Sequence, residues 1–119
     1  SSIMGKARRG DRIWYYLDDG VYGSYSGQLF DHTSYPLTVY SDEKNLLKNS
    51  VLAGPTCDSI DVIAEDIPLP ELQIGDILVG KMMGAYTDAT ATNFNCFDRA
   101  RIIVLNKTTT TVSRWFYAI

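Results

Sequence analysis

The sequence has few of the residues on which disulfide-bonded and metal-dependent small domains are built. Its 119 residues include two cysteines and one histidine, which is too few for a disulfide framework. His32 has no cysteine or second histidine near it at metal-ligand spacing, so no metal site is indicated. We expect both cysteines to be reduced, as is usual in the cytoplasm.

Long apolar runs and an excess of positive charge are also lacking. No segment reaches the roughly 20 apolar residues of a membrane span, and we expect no signal peptide and no membrane contact. The net charge is −3, and the one basic cluster lies in residues 6–12. We interpret that cluster as a solvated stretch leading into a strand. A nucleic-acid partner is not expected, because such partners require strongly basic surfaces.

The sequence does contain a series of short β-type segments, broken by glycine, aspartate and proline. An apolar share of 45% in 119 residues allows one domain with its own core. Segments rich in β-branched, aromatic and apolar residues predict strands at 13–17, 26–30, 37–40, 77–79, 102–105 and 108–117. Because segment 102–105 is fully apolar, it is predicted to be a central strand.

Two further segments predict short helices. Apolar residues recur at helical spacing in 60–64, with Asp58 or Ser59 placed as the N-cap and two prolines placed to end the helix. A second helical turn is predicted within 42–49. We therefore expect a mainly β fold, a modified Greek-key barrel or sandwich with one or two short helices.

Four clusters of glycine and polar residues have potential chemistry, and they lie at 18–24, 30–32, 54–58 and 83–87. In the third, Cys57 and Asp58 lie at a predicted helix N-terminus, where backbone N–H groups favour a thiolate. Each cluster also has a simpler interpretation. The glycines could supply positive φ in turns, Asp58 could be only a helix cap, and Cys57 could be a small buried side chain. Residue types and spacing alone favour the simpler interpretation.

Taken together and in order, the clusters resemble the ornithine decarboxylase family. The matching motifs are YYLDDGVYGS ending at 24, FDH at 30–32, GPTCD at 54–58, LPE and GD within 69–76, and MGAYT with FN within 83–95. This family is the alanine-racemase-like, fold-type III class of pyridoxal-phosphate decarboxylases. Its members pair an N-terminal TIM barrel with a C-terminal β-domain and act as head-to-tail dimers. The resemblance implies that residues 1–119 are such a C-terminal domain, without the barrel that holds the cofactor lysine.

The resemblance implies that three residues act on the substrate. Cys57 would enter the active site of a second subunit and protonate the substrate carbon after carbon dioxide leaves. Asp31 and Asp58 would bind the distal ammonium through charge-assisted hydrogen bonds. Relatives specific for diaminopimelate have glutamate directly after the cysteine. Asp58 at that position therefore suits a substrate whose distal end carries an ammonium without a second carboxylate. Ornithine is the first expected substrate and lysine the second, and an enzyme that acts on both is an open alternative, because the one methylene by which they differ supplies only about 1–3 kcal/mol of discrimination. Arginine is disfavoured.

Other residues are implied to contact the cofactor or line the pocket. Tyr86 would donate a hydrogen bond to the phosphate of pyridoxal 5′-phosphate. Tyr22 and Phe94, with Phe30 beside them, would line the pocket and the dimer surface, and His32 receives no catalytic role. The implied function is release of carbon dioxide from ornithine or lysine, giving putrescine or cadaverine in polyamine biosynthesis. The implied partners are the chain's own barrel domain and a second subunit, and residues 1–119 alone are expected to be inactive.

Two other classes of protein remain as alternatives. A non-catalytic regulatory homologue of the antizyme-inhibitor kind would keep the fold and bind a protein partner. A stand-alone β-domain used for binding would need no cysteine–aspartate turn. The joint presence of Asp31, Cys57, Asp58 and Tyr86 favours the enzyme, because a pseudoenzyme has no need of all four.

Overall fold

Six strands and two short helices make up the regular structure of residues 1–40, 46–84 and 86–105, which are the residues that the computed structural model describes. The strands are β1 (Ile3–Arg9), β2 (Arg12–Leu17), β3 (Leu37–Tyr40), β4 (Lys48–Ala53), β5 (Val62–Leu69) and β6 (Ile77–Gly80). The helices are α1 (Gly27–Phe30) and α2 (Tyr86–Thr90), and a 3-10 turn follows at Phe94–Cys96. The predicted mainly β fold with one or two short helices is confirmed.

The strands form one sheet of four strands and one of two, and over the described residues these sheets do not close into a barrel. The larger sheet has the order β1-β2-β4-β5, in which β2 and β4 are parallel and the other pairs are antiparallel. In the smaller sheet, β3 and β6 are antiparallel. Ser2 bridges to Ile77, and the Ile3 N–H donates to the Asp76 carbonyl at 2.9 Å, so the first residues of the chain connect the two sheets.

The core is centred on β2, where alternate side chains are buried. Tyr15 is fully buried, and its hydroxyl accepts a hydrogen bond from the Leu72 N–H at 3.0 Å, which satisfies the buried phenol. The buried cluster draws on both sheets and on the turn after β2, and its members are Ile3, Ile13, Tyr15, Leu17, Val21, Tyr25, Leu52, Ile63, Leu69, Leu72 and Leu78. The core therefore fixes the start of the turn that follows β2.

Three predicted strands are confirmed. Segment 13–17 lies within β2, segment 37–40 is β3, and segment 77–79 lies within β6. The strand predicted at 108–117 lies outside the described residues. Of the basic residues of 6–12, Lys6, Arg8 and Arg9 lie in β1 and Arg12 begins β2, so the cluster is part of the sheet.

The strand predicted at 26–30 is wrong, because this segment is the short helix α1. Tyr25 and Ser26 are fully buried, and their carbonyls accept the N–H groups of Gln28 and Leu29, each at 3.0 Å. The chain thus continues the series of turns that begins after β2. Burial of these two residues outweighs the extended preference of the residues that follow.

The central strand predicted at 102–105 is also wrong. All four residues are exposed and have no regular structure. An apolar strand needs a pairing edge and cover on both faces, and no described strand pairs with this segment. The apolar run alone therefore does not determine its conformation.

The helix predicted in 60–64 is wrong, because these residues form a turn and the start of β5. The Gly54 N–H donates to the Asp61 carbonyl at 2.8 Å, which starts the pairing of β5 with β4. Pro68 lies inside β5, where it is tolerated because β5 is an edge strand of the described sheet. The helical turn predicted at 42–49 lies partly outside the described residues, and its last two residues begin β4 instead. No helix in the described ranges is long and apolar enough to cross a membrane.

Candidate functional site

Two glycine-containing turns meet at the buried carboxylate of Asp61, which is 2% exposed. Its Oδ1 accepts the N–H of Val21 at 2.9 Å, in the turn after β2. Its Oδ2 accepts the N–H of Thr56 at 3.0 Å and the hydroxyl of Thr56 at 2.7 Å, in the turn after β4. Three hydrogen bonds to one carboxylate therefore hold the two turns together, as a buried charge requires.

Glycine is required in both turns by this close approach. A Cβ atom on Gly20 would lie 2.2 Å from Oδ1 of Asp61, and one on Gly54 would lie 2.1 Å from the same atom. A Cβ atom on Gly23 would likewise lie 2.1 Å from Oδ1 of Asp19. None of these glycines is among the residues with positive φ in the described ranges. The simpler sequence interpretation of the glycines of 18–24, a need for positive φ, is therefore wrong.

Asp58 follows in the second turn and is held by two donors. Its Oδ2 accepts a 2.5 Å hydrogen bond from the Tyr22 hydroxyl, and its Oδ1 accepts the Ile60 N–H at 3.1 Å. These hydrogen bonds, chiefly the one from Tyr22, lower the pKa of Asp58. The same contact, more than any other cause, raises the pKa of Tyr22 to about 12. At neutral pH the pair is therefore a phenol that donates to an ionised carboxylate.

Phe94 lies against the ring of Tyr22, with the ring centroids 4.4 Å apart and the planes inclined by 31°. The Thr92 N–H also donates to the Tyr22 carbonyl at 2.8 Å, which fixes the segment before Phe94. Both rings line a small cavity of about 20 Å³ between the two turns. The structure thus brings together three of the predicted site residues: Tyr22, Asp58 and Phe94.

Cys57 is exposed and lies between the two anchored residues Thr56 and Asp58. Its N–H donates to Oδ1 of Asn95 at 3.3 Å, and its Sγ lies 3.5 Å from the same oxygen. Because a turn and a strand follow Cys57, the helix N-terminus predicted to favour its thiolate is absent here. Below, the Tyr22 cluster denotes residues Tyr22, Cys57, Asp58, Phe94 and Asn95.

Asp31 and Tyr86 lie in a second depression of about 120 Å³. Asp31 ends α1, where its N–H donates to the Gly27 carbonyl at 2.9 Å, and Tyr86 begins α2 with 77% of its surface exposed. The depression is lined by Gly27, Asp31, Thr33, Tyr35, Met82, Gly84, Tyr86, Thr87 and Thr90, and we call it the Asp31 depression. Within the described ranges, no hydrogen bond connects Asp31 or Tyr86 to the Tyr22 cluster.

Sequence reasoning missed two residues of the site, Asp61 and Asn95. Asp61 is the second acid after Cys57 in a polar turn, and its type alone does not distinguish it from a surface aspartate. Asn95 stands in a matched motif, but its side-chain contact depends on a φ of 56° that residue type does not reveal. The described part of the chain has no group of three acidic, histidine or cysteine side chains that could hold a metal ion.

Comparison with known proteins gives the same assignment as the motifs. The family model of the pyridoxal-dependent decarboxylase C-terminal sheet domain matches residues 1–84. The chain belongs to this family. The resemblance to the ornithine and lysine decarboxylases is thereby confirmed, and the two turns around Asp61 belong to a decarboxylase sheet domain.

One curated relative of this sheet domain is named a decarboxylase, and another is named an antizyme inhibitor. The lysine/ornithine decarboxylase of Selenomonas ruminantium is 44% identical over 104 residues, which are 87% of this chain and 26% of that protein. Antizyme inhibitor 2 of Xenopus laevis is 45% identical over 93 residues, which are 76% of this chain and 20% of that protein. The chain thus spans about a quarter or less of the length of these relatives.

A solved structure of the lysine/ornithine decarboxylase of Vibrio vulnificus, complexed with cadaverine, is 59% identical and superposes with a TM-score of 0.86. The match covers 89% of this chain and 29% of that one. The structure of the same enzyme complexed with putrescine is 61% identical with a TM-score of 0.82, covering 88% of this chain and 28% of that one. The sheet domain is therefore similar to these enzymes in both sequence and fold.

Proposed function

We propose that this chain is the C-terminal domain of an ornithine or lysine decarboxylase, whose active site also requires a barrel domain and a second subunit. The observation that carries the proposal is the turn at 54–58, where an exposed thiol and a carboxylate that is ionised at neutral pH are adjacent. The buried Asp61 holds this turn in place from behind. A small binding domain would need a folded turn, but it would not need a thiol beside a preorganised acceptor.

Asp58 binds the distal ammonium of the substrate in this proposal. Its carboxylate already accepts hydrogen bonds from Tyr22 and Ile60, and an alkylammonium would add a charge-assisted bond to the same group. The similarity to enzymes complexed with cadaverine and putrescine supports a substrate with a terminal amine. Ornithine is the first proposed substrate and lysine the second, with putrescine or cadaverine as the product of polyamine biosynthesis.

Cys57 supplies the proton that replaces the lost carboxyl group. Pyridoxal 5′-phosphate, when bound, stabilises negative charge on the substrate carbon that loses carbon dioxide. The Cys57 thiol donates its proton to that carbon, and its exposure allows it to regain a proton from water. This role requires a free thiol, which is consistent with the proposed cytoplasmic location.

Tyr86 is proposed to contact the cofactor phosphate. The side chain is exposed, and Tyr86 lines the Asp31 depression together with Thr87 and Thr90. An exposed phenol at an open depression suits a phosphate group, to which it can donate a hydrogen bond. The residues present therefore fit a cofactor that is held mainly by another domain.

The separation of Asp31 from the Tyr22 cluster supports a divided active site. Asp31 lines a depression that contains no residue of the Tyr22 cluster, so we infer that the two groups serve two different active sites of a head-to-tail dimer. Asp31 and Tyr86 would act with the barrel of their own chain. Cys57 and Asp58 would enter the active site of the second subunit, so that two aspartates from two chains hold one ammonium.

Subunit mixing tests this arrangement in the parent protein. Variants Cys57→Ala and Asp31→Asn are each expected to lose most amine formation. Mixed dimers would have one active site with both residues intact and one with both replaced. Random pairing should restore about a quarter of the wild-type activity, because half of the dimers are mixed and each has one intact site. Failure to regain activity, with mixed dimers demonstrated, would contradict the divided site.

A regulatory homologue of the antizyme-inhibitor kind is the second candidate, supported by the 45% identity to antizyme inhibitor 2. The two candidates differ in one measurement. The parent enzyme should release carbon dioxide from ornithine or lysine in the presence of pyridoxal 5′-phosphate, whereas a regulatory homologue should release none. In either case, residues 1–119 alone should show no absorbance band from a bound cofactor.

A further inference from the structure

The side chain of Asn95 contacts Cys57 at two atoms. Its Oδ1 accepts the Cys57 N–H at 3.3 Å and lies 3.5 Å from Sγ of the same residue. We propose that Asn95 is a positioning residue for the Cys57 thiol, whose amide oxygen holds the thiol in place in its proton-bearing form. The inference rests on the proposed function, in which Cys57 delivers a proton to the substrate.

The backbone of Cys57 determines which end of the Asn95 amide faces the thiol. A backbone N–H is only a donor, so the amide atom it meets must be the acceptor oxygen. The thiol can engage that oxygen only through its S–H, because a thiolate has no proton to donate. The contact is therefore available to the proton-bearing form of Cys57 alone, and the S–H bond turns from Asn95 to the substrate carbon when the proton is transferred.

The turn at 93–96 is built to bring Asn95 to this position. Asn95 and Cys96 have φ values of 56° and 62°, in the left-handed region where asparagine is tolerated better than most residues. The Cys96 N–H donates to the Asn93 carbonyl at 2.9 Å and closes the turn. The preceding Phe94 lies on the ring of Tyr22, so one turn places both a pocket wall and the Cys57 acceptor.

The left-handed φ determines the choice of variants. N95G removes the amide while glycine keeps the backbone conformation at no steric cost. N95D keeps an acceptor oxygen at the same position and serves as the conservative rescue. N93A is the matched control, because it removes the 3.2 Å hydrogen bond from Asn93 Nδ2 to the Phe97 carbonyl in the same turn without touching Cys57.

The first readout is the ratio of aldehyde to amine formed from ornithine or lysine by the parent holoenzyme. Loss of the contact that holds the protonated thiol in place should raise this ratio in N95G by about two- to tenfold, the range that one net hydrogen bond supplies. N95D and N93A should stay within about twofold of wild type on the same reasoning. An unchanged ratio in N95G, or an equal rise in N93A, would overturn the proposal.

The second readout is independent of catalysis. The rate of Cys57 alkylation by iodoacetamide in the substrate-free holoenzyme, followed on the Cys57 peptide by mass spectrometry, should rise in N95G by a similar factor and not in N93A. An unchanged alkylation rate in N95G would overturn the contact itself. If the alkylation rate rises but even Cys57→Ala leaves the product ratio unchanged, the assigned role of Cys57 fails while the contact stands.

Discussion

The Tyr22 hydroxyl donates a 2.5 Å hydrogen bond to Oδ2 of Asp58, across 36 residues of sequence. The bond joins the turn after β2 to the turn after β4, the same two turns that the carboxylate of Asp61 joins from the buried side. It also reinforces the charge state that the pair has at neutral pH, because it lowers the pKa of Asp58 and raises that of Tyr22. A candidate ammonium acceptor is thus preorganised before any substrate arrives.

Replacing Tyr22 with phenylalanine tests this preorganisation in the parent enzyme. The ring that lies on Phe94 is kept, while Asp58 loses its principal donor. We expect the pKa of Asp58 to rise toward its ordinary value, as NMR titration of its carboxyl would measure. KM for the diamino acid should rise about three- to tenfold with kcat little changed, since the lost contact orients Asp58 in both ground and transition states. An unchanged KM would show that the hydrogen bond has no part in substrate binding.

The Asp61→Asn variant tests whether the buried carboxylate holds the two turns together. One side-chain oxygen of Asp61 would become an NH₂ group, and either the Val21 N–H or the Thr56 N–H would then face a donor instead of an acceptor. We expect a loss of about 3 kcal/mol in the free energy of unfolding, because buried donors lose their partners. Urea unfolding of the chain measures this loss.

Asp66→Asn is the matched control for Asp61→Asn. Its carboxylate is exposed and pairs with Arg12 at the surface, at 3.2 Å. The change should cost no more than about 1 kcal/mol. Equal losses in the two variants would argue against a special role for Asp61.

Glu71 makes the stability of the sheet depend on pH. Its carboxylate accepts a hydrogen bond from Lys48 on β4 and another, at 2.8 Å, from Lys6 on β1. These hydrogen bonds, chiefly the one from Lys48, lower the pKa of Glu71 to about 2. Because the folded pKa lies below the unfolded value of 4.5, this contribution is complete above about pH 4.5 and is lost as pH falls toward 2.

The Glu71→Gln variant should therefore lose less stability than wild type between pH 5 and pH 2, although it is less stable at pH 7. Circular dichroism of urea-unfolding curves at a series of pH values measures the difference. Glu65→Gln is the control, because Glu65 is an exposed residue of β5 outside the lysine cluster. A parallel pH dependence for wild type and Glu71→Gln would contradict the assignment.

The sequence predicted those strands whose pairing partners and burial agree with local preference. In β2, alternate side chains enter the core and the strand ends at an aspartate–glycine turn, so local pattern and packing coincide. In α1 and β5 they conflict. In α1, the burial of Tyr25 and Ser26 favours helical turns in residues that by type prefer an extended conformation. In β5, pairing with β4 holds residues whose apolar spacing is helical in an extended conformation. These outcomes depend on contacts between distant residues, which periodicity does not reveal.

The sequence predicted which residues belong to the candidate site, but not how they are arranged in space. The motifs indicated Tyr22, Asp58 and Phe94, and the structure brings them together. The Asp31 depression does not include Asp58, so the prediction that both aspartates bind one ammonium stays a prediction and requires two chains. Asp61 was not predicted because its role depends on burial and on hydrogen bonds from two turns that are distant in sequence.

Product analysis of the Cys57→Ala variant of the parent enzyme tests the central claim most directly. With ornithine and with lysine, carbon dioxide release and the ratio of aldehyde to amine would be measured for wild type and variant. If Cys57 delivers the proton, the product of the variant should shift from amine toward aldehyde through decarboxylation-dependent transamination. The reason is that protonation at a carbon other than the one that lost carbon dioxide then competes. Unchanged kinetics and an unchanged, amine-only product in the variant would contradict the account.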